Sequence, residues 1–394
     1  MRKCLTWVMC LIFVMMAVVC VNAEEITVPE LTLAPQPIPE NEALAFTRQM
    51  KAGWNLGNTF DSSDCTWLQN KLEYETAWGN PKTTEKLIDA IQTAGFNTIR
   101  VPVSWHNHVS DDFVIDAAWL DRVTEVVSWA YDRGMYVIVN IHHDCAPGYY
   151  YPEENQMESS EKYMRAIWQQ IAERFADYDE HLIFESINEP RLSKDTTGRE
   201  WSWNANDAKC VEAMNCICRL NQIFVDTVRA TGGNNAVRYL MVPSYAANPG
   251  YACADAFTLP EDPADNRIIV SVHAYTPYNF ALQMPGTAIF SLDNQYMKGE
   301  IATFMRNLQL KYINNGIPVV IGEFGAMTKG DNLQDRVDWA AWYVDSAAIR
   351  GIPCVWWDNG AFTGNGELFG IVNRKTTEWT YGPIVDAIMA YAMQ

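Results

Sequence analysis

Eight times along this chain a short apolar run gives way to a loop and then to a stretch of helical periodicity. The runs cover 53–57, 98–103, 136–142, 182–188, 239–244, 267–275, 318–324 and 353–358. They are short and almost continuously apolar, which suits strands buried on both faces. Between them, 117–133 places Leu120, Val123, Val127 and Ala130 on one helical face. Similar patterns lie at 84–94, 161–175, 212–230, 298–314, 333–349 and 384–392. Apolar strands separated by helices imply a parallel sheet covered on both sides. Eight such units predict an α/β chain closed into a single (β/α)8 TIM barrel.

The barrel is expected over 44–394, with nothing left for a second domain. Residues 24–43 carry Pro29, Pro35, Pro37 and Pro39 and read as an extended, weakly ordered linker. Residues 1–23 read as a secretion signal: Arg2 and Lys3, an apolar centre, then the small-residue site Val21-Asn22-Ala23. The expected location is therefore secreted, cell-surface or periplasmic, with no membrane span. Three of the ten cysteines fall in that signal. The other seven, Cys65, Cys145, Cys210, Cys216, Cys218, Cys253 and Cys354, cannot all pair within one chain. An exported protein leaves room for one or two bridges. A net charge of −19 excludes nucleic acid as a partner, because its backbone would be repelled. A neutral ligand fits that charge, and fifteen Trp exceed what a core needs, leaving flat apolar faces for it.

The connections are lopsided. Helix-to-strand turns are terse and carry Gly95, Gly134, Gly316 and Gly351, each a natural helix stop. Strand-to-helix loops at 143–160, 190–211, 245–266 and 276–297 are long. Long loops in compact domains carry function, and these share the carboxyl-terminal face of the barrel, where barrel enzymes place their sites. Polar residues gather at those strand ends: Arg100, His142-His143-Asp144, Asn188-Glu189, His273 and Tyr275, Glu323, and Trp356-Trp357-Asp358. Any one could be a satisfied core group. Their convergence on one mouth points to chemistry.

Two glutamates from different strands suit a reaction needing one proton donor and one charged carboxylate. A separation near 5 Å makes the second carboxylate a nucleophile and retains configuration in glycoside hydrolysis. Arg100 beside Glu323 would favour its ionised form, and Tyr275 would hold it in line. A charged Glu323 would then raise the proton affinity of Glu189. Glu185, one strand residue from Ser186, is expected in an ion pair inside the barrel. His142-His143-Asp144 invites a metal reading, but no further His-x-His accompanies it. No metal and no cofactor are expected.

Gly53-Trp54-Asn55-Leu56-Gly57-Asn58, Thr98-Ile99-Arg100-Val101-Pro102-Val103, Asn140-Ile141-His142-His143-Asp144, Asn188-Glu189-Pro190, His273-Ala274-Tyr275 and Ile321-Gly322-Glu323-Phe324-Gly325 together resemble glycoside hydrolase family five, the cellulase family. Trp78-Gly79-Asn80-Pro81 and Trp357-Asp358-Asn359-Gly360 resemble its fourth subfamily, mostly endo-β-1,4-glucanases. The resemblance spans about 45–390. It implies Glu189 as acid/base and Glu323 as nucleophile. Arg100, His142, Asn188, His273, Tyr275 and Trp357 would complete the sugar subsite, and Trp78 would add a sugar contact. His143 and Trp356 remain alternatives to their neighbours His142 and Trp357. The implied protein is a monomer acting on a β-glucan polysaccharide. Alternatives are a xyloglucanase or endo-β-mannanase, a binding protein on an inactive barrel, and a metal-dependent amidohydrolase. No Ser-rich linker or appended carbohydrate-binding module follows, so the barrel is expected to act alone or through partners.

Overall fold

A computed structural model describes residues 25–393, so the signal-like stretch lies outside the described residues. β1 (Ala52–Leu56), β2 (Thr98–Val101), β3 (Tyr136–Asn140), β4 (Leu182–Glu185), β5 (Leu240–Pro243), β6 (Ile268–His273), β7 (Val319–Phe324) and β8 (Cys354–Asp358) close into one barrel. Every neighbouring pair is parallel. The helices are α1 (Glu42–Arg48), α2 (Glu85–Thr93), α3 (Ala117–Tyr131), α4 (Met157–Arg174), α5 (Ala208–Ala230), the short α6 (Pro249–Ala252) and α7 (Tyr278–Ala281), α8 (Gln295–Lys311), α9 (Leu333–Ala348) and α10 (Gly382–Tyr391). A small antiparallel hairpin, β9 (Val372–Asn373) with β10 (Glu378–Trp379), precedes α10.

The helices start and stop for local reasons. Thr84, Asp116, Asp207 and Asn294 cap α2, α3, α5 and α8 by accepting backbone N–H bonds in the first turn. Gly95, Gly134, Gly316 and Gly351 have φ between +70° and +107°, as helix-stop glycines require. The expected α3 face, Leu120, Val123, Val127 and Ala130, is buried.

Inside the barrel the filling is layered. The lower layer is apolar: Tyr136, Ile138, Ile183, Tyr239, Met241, Ile269, Val320 and Val355 pack with Ala43, Phe46 and Met50. α1 plugs that end, with the Phe46 ring stacked on Tyr239 at 3.7 Å. The upper layer is polar and buried: Asn55, Arg100, Asn140, Glu185 and Ser271. The site stands on this layer.

Two expectations change. The 24–43 stretch is not weakly ordered where described. Thr27 N donates to Gln334 Oε1 at 2.9 Å and Leu31 N to Tyr391 Oη at 2.8 Å. Ile26, Val28, Leu31 and Ile38 pack against the core, and that apolar burial holds a prolyl segment that has no ladder of its own. No disulfide forms either, since all seven described cysteines are free. Cys216 and Cys218 are two apart on α5 and so point in different directions. The Cys145 and Cys354 thiols donate to the Arg191 and Ile352 carbonyls instead. Among the described residues no helix is long and apolar enough to cross a membrane.

Candidate active site

The expected strand ends at His142 and Asn188 overshoot. The ladders stop at Asn140 and Glu185, and the chain continues as irregular backbone tied to its neighbours. Ser186 N donates to Met241 O and Asn188 N to Ile141 O, each at 2.9 Å. This carries Asn188 and Glu189 above the sheet. The register of β6 and β7 shifts between Val272 and His273, pairing His273 with Glu323. Such a shift re-aims side chains at a barrel rim. Gly322 leaves room for this, since a Cβ there would lie 3.3 Å from both His273 Nε2 and Ser271 Oγ.

Arg100 is the hub. It is fully buried, so it does not meet a ligand as the substrate-contact expectation had it. Its N–H donors are spread over the buried floor and over groups at the mouth. Nε donates to Glu185 Oε2 at 2.8 Å. Nη1 donates to Asn55 Oδ1 at 3.0 Å and Glu323 Oε1 at 2.8 Å. Nη2 donates to Asn188 Oδ1 at 2.7 Å, which turns the Asn188 amide nitrogen away from the guanidinium. Glu185 forms the expected internal ion pair and also accepts from Asn140 Nδ2 and Ser271 Oγ. Carboxylates on two sides keep the buried guanidinium charged against the pull of burial.

Glu323 Oε2 accepts from the Tyr275 hydroxyl at 2.8 Å. Both oxygens of this carboxylate are therefore held. Burial and the Glu189 charge hold the Glu323 carboxyl above its ordinary value, although His273, Arg100 and Tyr275 pull it down, so the ionised form expected from the Arg100 contact is not favoured on balance. Glu189 Oε1 lies 2.8 Å from His273 Nδ1, and His273 Nδ1 lies 3.6 Å from Glu323 Oε1. One donor atom from each of Glu189, His273 and Glu323 lies within 4.8 Å of the others.

The His273 contact modifies the expected electrostatics. Burial pushes Glu189 up, but the His273 bond and the His273 and Arg191 charges bring it below its ordinary value. His273 rises in turn, because Glu323 and Glu189 outweigh its burial.

His142 is buried with its ring parallel to that of Trp357, centroids 5.8 Å apart, and its Nδ1 meets Asn140 Nδ2 at 3.1 Å. Trp356 points the other way, into the helical layer, where its Nε1 donates to Phe369 O. His143 is exposed at the rim, 5.7 Å from the Trp78 ring, and Trp78 is half-open to solvent. Asp144 turns away from the mouth and holds the Trp105 and His106 backbone and the His106 ring. Sequence reasoning passed over Asn55, Asn140 and Ser271, whose positions on inward strand faces were the available signal.

A second group, Asp61, His142 and His143, also has donor atoms within 4.8 Å of one another. Asp61 already accepts from Asn58 N and Thr59 N, and His142 Nδ1 is engaged by Asn140. In the Glu189 group, Glu323 is engaged by Arg100 and Tyr275. Several members of each set are thus engaged within the protein.

A parallel barrel with paired carboxylates at its mouth, one clasped by an arginine and a tyrosine, defines a glycoside hydrolase. Residues 61–363 match the family described as Cellulase (glycosyl hydrolase family 5). The chain belongs to that family. Endoglucanase B of Ruminococcus albus is 43% identical over 374 residues, covering 94% of this chain and 86% of that protein. A family 5 lichenase from a Caldicellulosiruptor species superposes with a TM-score of 0.91 at 52% identity, covering 93% of this chain and all of that one. A subfamily 4 broad specificity endoglucanase from Ruminococcus champanellensis, with bound cellotriose, superposes with a TM-score of 0.82 at 43% identity, covering 90% and 100%.

Proposed function

We propose that this enzyme is a secreted retaining endo-β-1,4-glucanase, with Glu323 as nucleophile and Glu189 as acid/base. The observation that carries this reading is the carboxylate pair, within 4.8 Å at its nearest oxygens and differently partnered. That spacing leaves no room for a water between acid and base on opposite sugar faces, as inversion needs, and suits a direct attack by one carboxylate.

In the first half, Glu323 attacks the anomeric carbon while Glu189 passes a proton to the leaving oxygen. Arg100 and Tyr275 hold the attacking carboxylate. Asn188, its carbonyl fixed by Arg100, presents its amide nitrogen to the sugar 2-hydroxyl, a contact that strengthens in the transition state. Ester formation removes the Glu323 charge. Glu189 then accepts a proton from water, which cleaves the ester. His142, Trp357 and Trp78 line the sugar path. Residues 1–23 would be removed on export, 24–43 lead into the barrel, and 44–394 act as a monomeric catalytic unit. The likeness to an endoglucanase and a lichenase supports a β-glucan substrate.

Glu323→Ala is expected to lose turnover on polymer, with azide returning a product of inverted configuration. Full activity in that variant would refute the assignment. Carboxymethyl cellulose, mixed-linkage glucan, xyloglucan, glucomannan and xylan together test the substrate. Cleavage of mannans alone would make this a mannanase.

A further inference from the structure

The loop after β4 builds a second structure around the proposed acid/base. Arg191 lies two residues beyond Glu189. Its Nη1 donates to the Glu189 carbonyl at 3.0 Å and lies 3.9 Å from Glu189 Oε2. Its Nε donates to Glu200 Oε1 at 3.2 Å. Its guanidinium carbon stands 3.9 Å from the Trp201 ring centroid, while Trp201 remains 54% exposed. The backbone on either side is clamped from two other loops. Cys145 Sγ donates to Arg191 O at 3.1 Å, Ala246 N to Pro190 O at 2.8 Å, and Leu192 N to Tyr245 Oη at 3.0 Å. A guanidinium stacked on one side and bonded at both ends keeps one position.

We propose that Arg191, held by Trp201 and Glu200, is a positioning residue that orients the Glu189 carboxyl and biases it toward the carboxylate that the second half-reaction needs. This rests on Glu189 being the acid/base. The logic is a fixed field set against a variable one. The Glu323 charge raises the proton affinity of Glu189 in the first half and vanishes once the glycosyl ester forms. The Arg191 charge persists through both halves, so the same carboxyl becomes a base without any movement. Other groups also face Glu189: His273 from β6, Glu323 from β7, His143 after β3 and Glu367 from the loop after β8. Arg191 itself is faced by Glu189, Glu200, Cys145 and Tyr150. Of these charges, Arg191 and Glu200 form a rim pair that can be changed without touching the floor around Arg100.

The test is kcat/KM against pH on soluble mixed-linkage glucan, an unactivated substrate. Arg191→Met is expected to move the alkaline limb up by about one pH unit, because a nearby cation that favours the carboxylate has gone. Arg191→Lys keeps the charge and is expected to return most of that shift. Glu200→Gln removes the counter-charge and is expected to move the limb the other way. A purely structural loop residue would not produce opposite shifts from two neighbours. An unmoved limb in Arg191→Met, or shifts of one sign in Arg191→Met and Glu200→Gln, overturns the proposal. Glu200 is partly exposed, so Glu200→Gln decides alone if Arg191→Met fails to fold: a downward shift supports the proposal and an unmoved limb overturns it. Glu189→Gln separates the two readings. If its alkaline limb persists, the acid/base assignment fails. If the limb disappears while the Arg191 and Glu200 variants stay unshifted, only this proposal fails.

Discussion

Arg100 and His108 are both buried groups able to carry a proton, and the fold treats them oppositely. Arg100 keeps its charge because Glu185, Glu323, Asn55 and Asn188 take its donors. Among the described residues His108 finds no hydrogen-bond partner on either ring nitrogen. It lies flat on Trp119, centroids 3.7 Å apart, and meets Tyr74 edge-on. Burial, with the Lys71 and His106 charges, pushes its pKa down to about 3. A folded value below the unfolded one, near 6.5, leaves stability untouched above that pH. As pH falls from 6.5 toward 3, the unfolded chain takes up a proton that the fold refuses, and stability is lost. His108→Phe keeps the stack and removes the titration. Between pH 7 and 4.5 the variant should lose about 2 kcal/mol less stability than the parent, read from urea midpoints. An equal loss in both would show that His108 is not neutral in the fold. Legibility at this scale was uneven. Arg100, Tyr275 and the internal pairing of Glu185 could be anticipated, because inward strand positions are visible in a period of two. The unpartnered state of His108 could not, since its Trp and Tyr neighbours come from other segments.

At the scale of elements, the alternation of strand and helix was readable because each barrel unit is a local pattern with its own stop signal. Boundaries slipped by a few residues where side-chain caps, not apolar periodicity, start a helix, as Asp207 does for α5. α1 was missed for a different reason. Seven residues make barely two turns, too few to display a period. Its worth comes entirely from the barrel floor it closes, where Phe46 meets Tyr239 and Tyr136. Phe46→Ala should cost about 3–5 kcal/mol of stability while kcat stays within twofold, because the plug lies at the opposite end from the carboxylates. A large fall in kcat with unchanged stability would contradict that division of labour.

For the whole molecule, the thiols separate two expectations that the sequence joined. A signal-like first stretch led to the expectation of bridges, yet all seven described cysteines are free. Thiol titration in denaturant of a chain lacking residues 1–23 should therefore count seven groups, and reductant should leave the thermal midpoint unchanged. Five or fewer would mean a bridge forms after all. The number of barrel units, the face that carries the long loops and the polar residues at the strand ends were determined by sequence alone, because each is written in short-range periodicity and turn chemistry. Tertiary structure decided which neighbour of a pair faces the mouth, His142 with Trp357 rather than Trp356. It also set Arg100 beneath the site, and it joined Glu189 to His273 at 2.8 Å. Those outcomes depend on strand register, on the shift between β6 and β7, and on contacts between residues 84 and 223 positions apart, such as Glu189 with His273 and Arg100 with Glu323. No local pattern encodes a distance across a barrel. It exists only once eight strands have closed.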